Sequence, residues 1–142
     1  MQVSHNCMLF RSSVHFILFF WVGNASQISD GAAAVILARR STAQRLGLPI
    51  VGKYVASTVV GVPPRIMGVG PGFAIPKVLE KTGLRKEEVD FYEINEAFAS
   101  QAVWSVQKVG IPFEKVNING GAIAMGHPLG CSEYHAALSP YY

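Results

Sequence analysis

From Gly31 onward, short apolar runs of strand length alternate with helical segments, each closed by glycine or proline, and this rhythm constrains the fold most. The run 32–38 is continuously apolar and reads as a strand buried on both faces, although a helix can also be drawn through it. Ser41 offers an N-cap for a short helix over 42–46, stopped by Gly47 and Pro49. Residues 50–60 are rich in β-branched side chains and read as the next strand. A loop enclosed by Gly61-Val62-Pro63-Pro64 and by Gly68, Gly70, Pro71 and Gly72 leads into a helix over 73–82, ended by Gly83. Pro76 lies near the start of that helix, where a missing amide hydrogen costs little. Residues 89–94 form a further strand candidate. A helix over 96–108 then sets Phe98, Ala102, Val106 and Val109 on one face before Gly110 and Pro112 end it. Residues 116–119 are a short strand running into the glycine-rich stretch 120–130. Strands alternating with helices predict an α/β class, layered, with a mostly parallel sheet.

The chain has 142 residues, enough for one domain with a core of its own. Half are hydrophobic and 15% charged, which argues for a packed body and against disorder. A net charge of +3, with Lys53, Arg65, Lys77, Lys81, Arg85, Lys86, Lys108 and Lys115 scattered and without interleaved aromatics, gives no nucleic-acid surface. Cys7 and Cys131 stand far apart in unlike surroundings, so the sequence offers no disulfide framework and suggests a reducing compartment. His5, His15, His127 and His135 show no paired ligand spacing, and no metal site is expected. Glycines 68, 70 and 72 lack the spacing of a dinucleotide fingerprint.

Residues 1–22 differ from the rest. They hold no acidic residue and end in an apolar run over 14–22 that is too short to span a bilayer as a helix. Arg11 ahead of the run and Gly23, Asn24 and Ala25 after it fit a secretory leader; foreign coding sequence is the alternative.

Two motifs stand where a parallel sheet puts its active site, past strand ends. In Asn95-Glu96-Ala97-Phe98, the Asn95 amide can fix a water or a carbonyl oxygen, donating and accepting without a change of charge; the plain alternative is that it caps the following helix. In Gly126-His127-Pro128, an imidazole held between a permissive and a stiff residue can serve as base or as oxyanion donor. The plain alternative there is a satisfied core histidine. No G-x-S-x-G turn supplies a serine nucleophile.

Four blocks taken together resemble the thiolase family in order and spacing: residues 23–33, residues 61–64 with 67–71, residues 91–99, and residues 119–131. The double proline and the wording around Asn95 look closest to the peroxisomal 3-ketoacyl-CoA branch, particularly that of fungi. The resemblance implies an incomplete thiolase-like layered fold, with an unmatched apolar segment over 1–22 and the end of an N-terminal domain over 23–50. A truncated C-terminal domain over 51–131 and an unmatched tail over 132–142 follow. It also implies that Asn95 holds a water which, with His127, forms an oxyanion hole for a thioester carbonyl, and that His127 helps activate a nucleophilic cysteine. Met67 and Phe98 match positions lining the acyl and pantetheine pocket.

The departures carry equal weight. The family's nucleophilic cysteine belongs to a context absent here, and its second cysteine, in a Cys-x-Gly-x-Gly turn, is absent too. Cys131 matches a position with no assigned role, and the sequence departs from the family's Thr-Gly-Ala-Arg continuation at Ser132. The expectation is an acyltransferase by resemblance, with no nucleophile of its own and inactive alone. The alternative is a noncatalytic module that pairs with a full-length subunit or binds coenzyme A. The implied partners are acyl-CoA or CoA, as substrates rather than cofactors, and thiolase subunits in a homo- or hetero-oligomer. No nucleic acid and no membrane span are expected. The implied compartment is the peroxisome, with mitochondrion and cytosol open and no targeting signal identified.

Overall fold

The computed structural model describes residues 23–132, so the apolar segment 1–22 and the tail beyond Ser132 lie outside the described residues. Among the described residues, four α-helices lie whole: α1 (Arg40–Arg45), α2 (Pro71–Thr82), α3 (Ala99–Val109) and α4 (Ala122–Met125). Three 3-10 turns, Pro64–Val69, Lys86–Glu88 and Phe113–Lys115, connect them.

The core sits where α2 and α3 pack beside the segment 92–94. Tyr92, Ile94, Ala102, Val106 and Ile111 form its buried cluster, with Ile75, Val89, Val109 and Val116 packed around it. Val106, at 1% exposure, is the centre; burying a side chain of this size contributes about 1.5–3 kcal/mol. Ser105 beside it is fully buried and donates to the Gln101 carbonyl at 2.8 Å, so its hydroxyl is satisfied within the helix. Gly72 sets how closely α2 and α3 approach, because a Cβ there would lie 2.7 Å from the Trp104 ring. Phe73 and Trp104 meet along the same seam with centroids 5.9 Å apart. Both helices stop as the glycine pattern predicts, at Gly83 and Gly110 in left-handed conformations with φ of 71° and 72°.

The expected sheet is where structure and sequence diverge. Among the described residues it is reduced to two isolated bridges, a parallel one between Tyr92 and Val116 and an antiparallel one between Ala25 and Phe98. The parallel bridge joins the predicted strands 89–94 and 116–119. Runs 32–38 and 50–60 form no ladder among the described residues, and Ile36 and Val59 are each 88% exposed. The reason is physical: a run of β-branched or apolar residues becomes a strand when a neighbouring strand supplies its backbone hydrogen bonds, and among the described residues no segment pairs its backbone with either run.

Three local boundaries also shift. Arg39, not Ser41, occupies the N-cap of α1, with no side-chain cap, and Ser41 falls inside the first turn. Helix α2 begins at Pro71, two residues early, because a proline at the first position needs no amide partner. Helix α3 begins at Ala99 instead of Glu96, since Phe98 is extended and bridges Ala25 while Ser26 N–H donates to the Ala97 carbonyl at 3.0 Å. Phe98 therefore leaves the apolar helix face predicted for it and stands 38% exposed.

Candidate active site

The short parallel pairing brings the two chemistry-bearing motifs together. Tyr92 N–H donates to the Lys115 carbonyl at 2.7 Å, and Asn117 N–H donates to the Tyr92 carbonyl at 2.8 Å. Asn117 then adopts a φ of 49°, a left-handed conformation that asparagine tolerates better than most residues. Its side chain turns back to continue the ladder: Oδ1 accepts from Ile94 N–H at 2.8 Å, and Nδ2 donates to the Ile94 carbonyl at 2.9 Å. Asn95 leaves the core from the end of this ladder.

Beyond Asn117 the chain turns through Gly120 and Gly121, makes the single turn of α4, and reverses at Gly126 with a φ of 99°. Gly126 is buried, and a Cβ there would collide with the Ser29 side chain. His127 N–H donates to the Gln27 carbonyl at 3.3 Å, so the segment that flanks Gly126 is held by residues 27–29. The tight neighbour of Gly126 is thus the Ser29 side chain.

Asn95 Nδ2 and His127 Nε2 lie 3.2 Å apart, although 32 residues separate them in sequence. Nδ1 on the other side of the ring lies 2.8 Å from Ser132 Oγ. With the amide nitrogen donating to Nε2, a neutral imidazole carries its proton on Nδ1 and donates it to Ser132. The Nε2 lone pair is then taken by the Asn95 N–H, and the second N–H of that amide is left for another acceptor. Asn95 does not cap α3, whose N-cap is Phe98. His127 is half-buried at the rim of a cleft, with both ring nitrogens engaged, which separates it from a core histidine.

This cleft, of about 710 Å³, is lined by Asn95, Phe98, Trp104 and His127 on one side and by Met67 and Gly68 of the turn Pro64–Val69 on the other. Met67 is 75% exposed and lines the cleft. Gly68 permits close approach of this wall, since a Cβ there would run into the Gln101 carboxamide. Gln101 Nε2 in turn makes a long hydrogen bond, 3.4 Å, to the Asn95 carbonyl. All four residues singled out in the sequence therefore face one space. Cys131 does not: it lines a separate cleft with Ser29, Asp30 and Gly31. Among the described residues no group of His, Cys, Asp and Glu could hold a metal ion, and no helix is long and apolar enough to cross a membrane.

Sequence reasoning passed over the residues that support the site. Glu96, adjacent to Asn95, accepts from Asn117 Nδ2 at 2.6 Å and from Ile123 N–H at 3.2 Å. Ser132 orients the imidazole from the far side. The available signal was the Asn-Ile-Asn-Gly-Gly stretch, whose asparagines and glycines favour left-handed backbone.

Comparison with known proteins gives the same frame. The thiolase C-terminal domain family matches residues 48–138. The chain is 63% identical over 110 residues to the peroxisomal 3-ketoacyl-CoA thiolase of Saccharomyces cerevisiae, covering 78% of this chain and 26% of that protein. It is 66% identical over the same length and shares to peroxisomal 3-ketoacyl-CoA thiolase B of Mus musculus. These identities do not favour fungal over mammalian relatives. The crystal structure of the dimeric peroxisomal thiolase of Saccharomyces cerevisiae superposes with a TM-score of 0.81 at 58% identity, covering 83% of this chain and 30% of that one. An acetyl-CoA acetyltransferase of Bacillus anthracis gives 0.79 at 42% identity, covering 82% and 30%. A second description of the yeast enzyme is of a five-layered α-β-α-β-α structure built from two core domains of identical topology. The chain thus spans roughly a quarter to a third of the relatives it matches. With four sequence blocks, a domain match over most of its length and these superpositions, the chain belongs to the thiolase family.

Proposed function

We propose that this chain carries the thioester-polarising part of a peroxisomal 3-oxoacyl-CoA thiolase, the acyltransferase that converts a 3-oxoacyl-CoA and CoA into a shortened acyl-CoA and acetyl-CoA in fatty-acid β-oxidation. The observation that carries this reading is the 3.2 Å contact of Asn95 with His127 at the rim of a cleft shared with Met67 and Phe98. For the Nε2 lone pair to take a proton from an incoming thiol, leaving the thiolate, the Asn95 N–H that it accepts must first swing off it. The resulting imidazolium then donates from Nε2, and together with the released Asn95 N–H it supplies two donors for the charge that develops on the thioester oxygen. Asn95 serves this role directly or through a water that it holds. Met67 and Phe98 give the acyl and pantetheine chains an apolar wall. Coenzyme A is a substrate in this scheme, and no separate cofactor is required. The names of the relatives support the peroxisomal setting and the acyl chemistry, and the dimeric yeast structure supports association with thiolase subunits.

Under this reading no thiolysis is expected from these 142 residues by themselves. An oxyanion hole stabilises charge that appears only when a nucleophile attacks, and the cysteine that attacks in this family has no counterpart here. Cys131, lining the other cleft, does not replace it. A second reading, a noncatalytic module that pairs with a full-length subunit, is favoured by one observation: the uncovered apolar side chains of 36–37 and 50–59. The test is coenzyme A-dependent loss of acetoacetyl-CoA and of a longer 3-oxoacyl-CoA, with wild-type chain beside Cys131→Ala and His127→Ala, and acyl-CoA binding by calorimetry. Binding that weakens in His127→Ala, without turnover, is expected. Turnover abolished by both substitutions overturns the inactive reading, and absence of any thioester binding overturns the site.

A further inference from the structure

We infer that Glu96 is a positioning residue: its carboxylate ties the segment that carries Asn95 to the turn that precedes His127, and so fixes their contact. This rests on the reading of Asn95 and His127 as the oxyanion pair.

Glu96 follows Asn95 directly, so any constraint on its side chain is transmitted to Asn95 within one peptide unit. One carboxylate oxygen accepts from Asn117 Nδ2 at 2.6 Å, and the other accepts from Ile123 N–H at 3.2 Å. The first partner stands before the Gly120-Gly121 turn and the second stands after it, so the carboxylate spans the arm leading to His127. Gly121 is packed against it so closely that a Cβ would overlap the carboxylate. Glu96 is half-buried, and among the described residues no Lys or Arg forms an ion pair with it. Placing a charge against neutral N–H donors costs desolvation that a glutamine or a hydroxyl would avoid. What the carboxylate adds is two acceptor oxygens with no donor, which suits a site where both neighbours donate.

A second brace lies on the opposite side. Ser26 N–H reaches the Ala97 carbonyl at 3.0 Å, and the Gln27 carbonyl receives His127 N–H at 3.3 Å. Residues 26–27 therefore also join the two motifs, through backbone alone. Removing Glu96 leaves this brace and the core in place, but it frees the turn that aims the imidazole.

The test uses the full chain labelled with 15N-histidine, in which four histidines give resolvable long-range ring spectra and His127→Gln identifies the His127 signals. Wild type is expected to show one neutral tautomer, protonated on Nδ1, and a cross-peak between the Asn95 amide and the His127 ring. In Glu96→Ala that cross-peak is lost and the ring becomes a mixture of tautomers, while the methyl signals of Ile94, Val106 and Ile111 hold their positions. Glu96→Gln, which keeps the volume and one acceptor but sets an amide donor against a donor, falls between. If Glu96→Ala disturbs the core signals, Glu96→Gln decides by the same criterion. An unchanged tautomer and cross-peak with an intact core overturns the proposal and leaves Glu96 as loop packing. Addition of acetoacetyl-CoA to wild type reads the other question separately. A His127 signal that does not respond sinks the thioester-site reading, whatever the variants show.

Discussion

The side chain of Asn117 hydrogen-bonds both backbone groups of Ile94, accepting its N–H at 2.8 Å and donating to its carbonyl at 2.9 Å. A side chain here does what the next residue of a strand would do, and the ladder that starts at Tyr92 reaches the site through it. Asn117→Ala removes both bonds and the one to Glu96, and also leaves a residue poorly suited to its positive φ, for an expected loss of about 2–3 kcal/mol. Asn117→Gly keeps the φ and isolates the bonds, so it should lose less. Denaturant midpoints of the two variants beside wild type check this; equal stability of all three removes Asn117 from the framework.

Gly126 combines a positive φ with contact against Ser29. Gly126→Val adds a β-branched side chain to a left-handed backbone, for which about 1–3 kcal/mol of strain is expected, and displaces Ser29 as well. Pairing Gly126→Ala with Ser29→Gly relieves the collision but not the backbone strain. Partial recovery in the double variant, measured by thermal unfolding, supports two separate costs, and full recovery assigns the whole effect to the collision.

The Tyr92 hydroxyl donates to the Lys86 carbonyl at 2.8 Å. Burial, and secondarily the nearby Glu87 carboxylate, hold its pKa above the usual 10.0. A group whose folded pKa is raised contributes stability that is present below its unfolded pKa and lost as the pH rises through the folded one. Stability should therefore fall as the pH passes from about 10 upward. Tyr92→Phe is less stable at neutral pH, having lost the hydrogen bond, but shows a flatter alkaline decline. Urea midpoints at about pH 8 and about pH 11 for both proteins measure the difference; parallel declines refute the assignment to Tyr92.

Hydrogen exchange should divide the chain sharply. Amides at 32–38 and 50–60, which make no ladder among the described residues, are expected to exchange near the unprotected rate. Amides of α3 from Ala102 to Val109 should be the slowest, as they surround Val106. Addition of a full-length thiolase subunit tests the pairing reading in the same experiment. Slowing confined to 32–38 and 50–60 supports it, and no slowing there counts against it.

What could be read without coordinates was whatever depends on near neighbours in the chain. The stops at Gly83 and Gly110 and the helices around Ala74 and Ala102 follow from side-chain periodicity and backbone freedom within a few residues. The motifs around Asn95 and His127 were visible too, and their family likeness set them apart from a helix cap and a core histidine. Runs 32–38 and 50–60 form no ladder among the described residues, because apolar, β-branched composition states a preference that a partner must satisfy.

The site's geometry belonged to tertiary structure. No local rule joins Asn95 to His127 across 32 residues, or directs Glu96 into a gap left by Gly121. Those contacts exist because the Tyr92–Val116 pairing, extended by the Asn117 side chain, carries two distant turns to the same edge of the core. Sequence determined which groups could do the chemistry; the long-range hydrogen bonds decided that they meet, since a contact between distant segments forms only when the intervening chain is itself held.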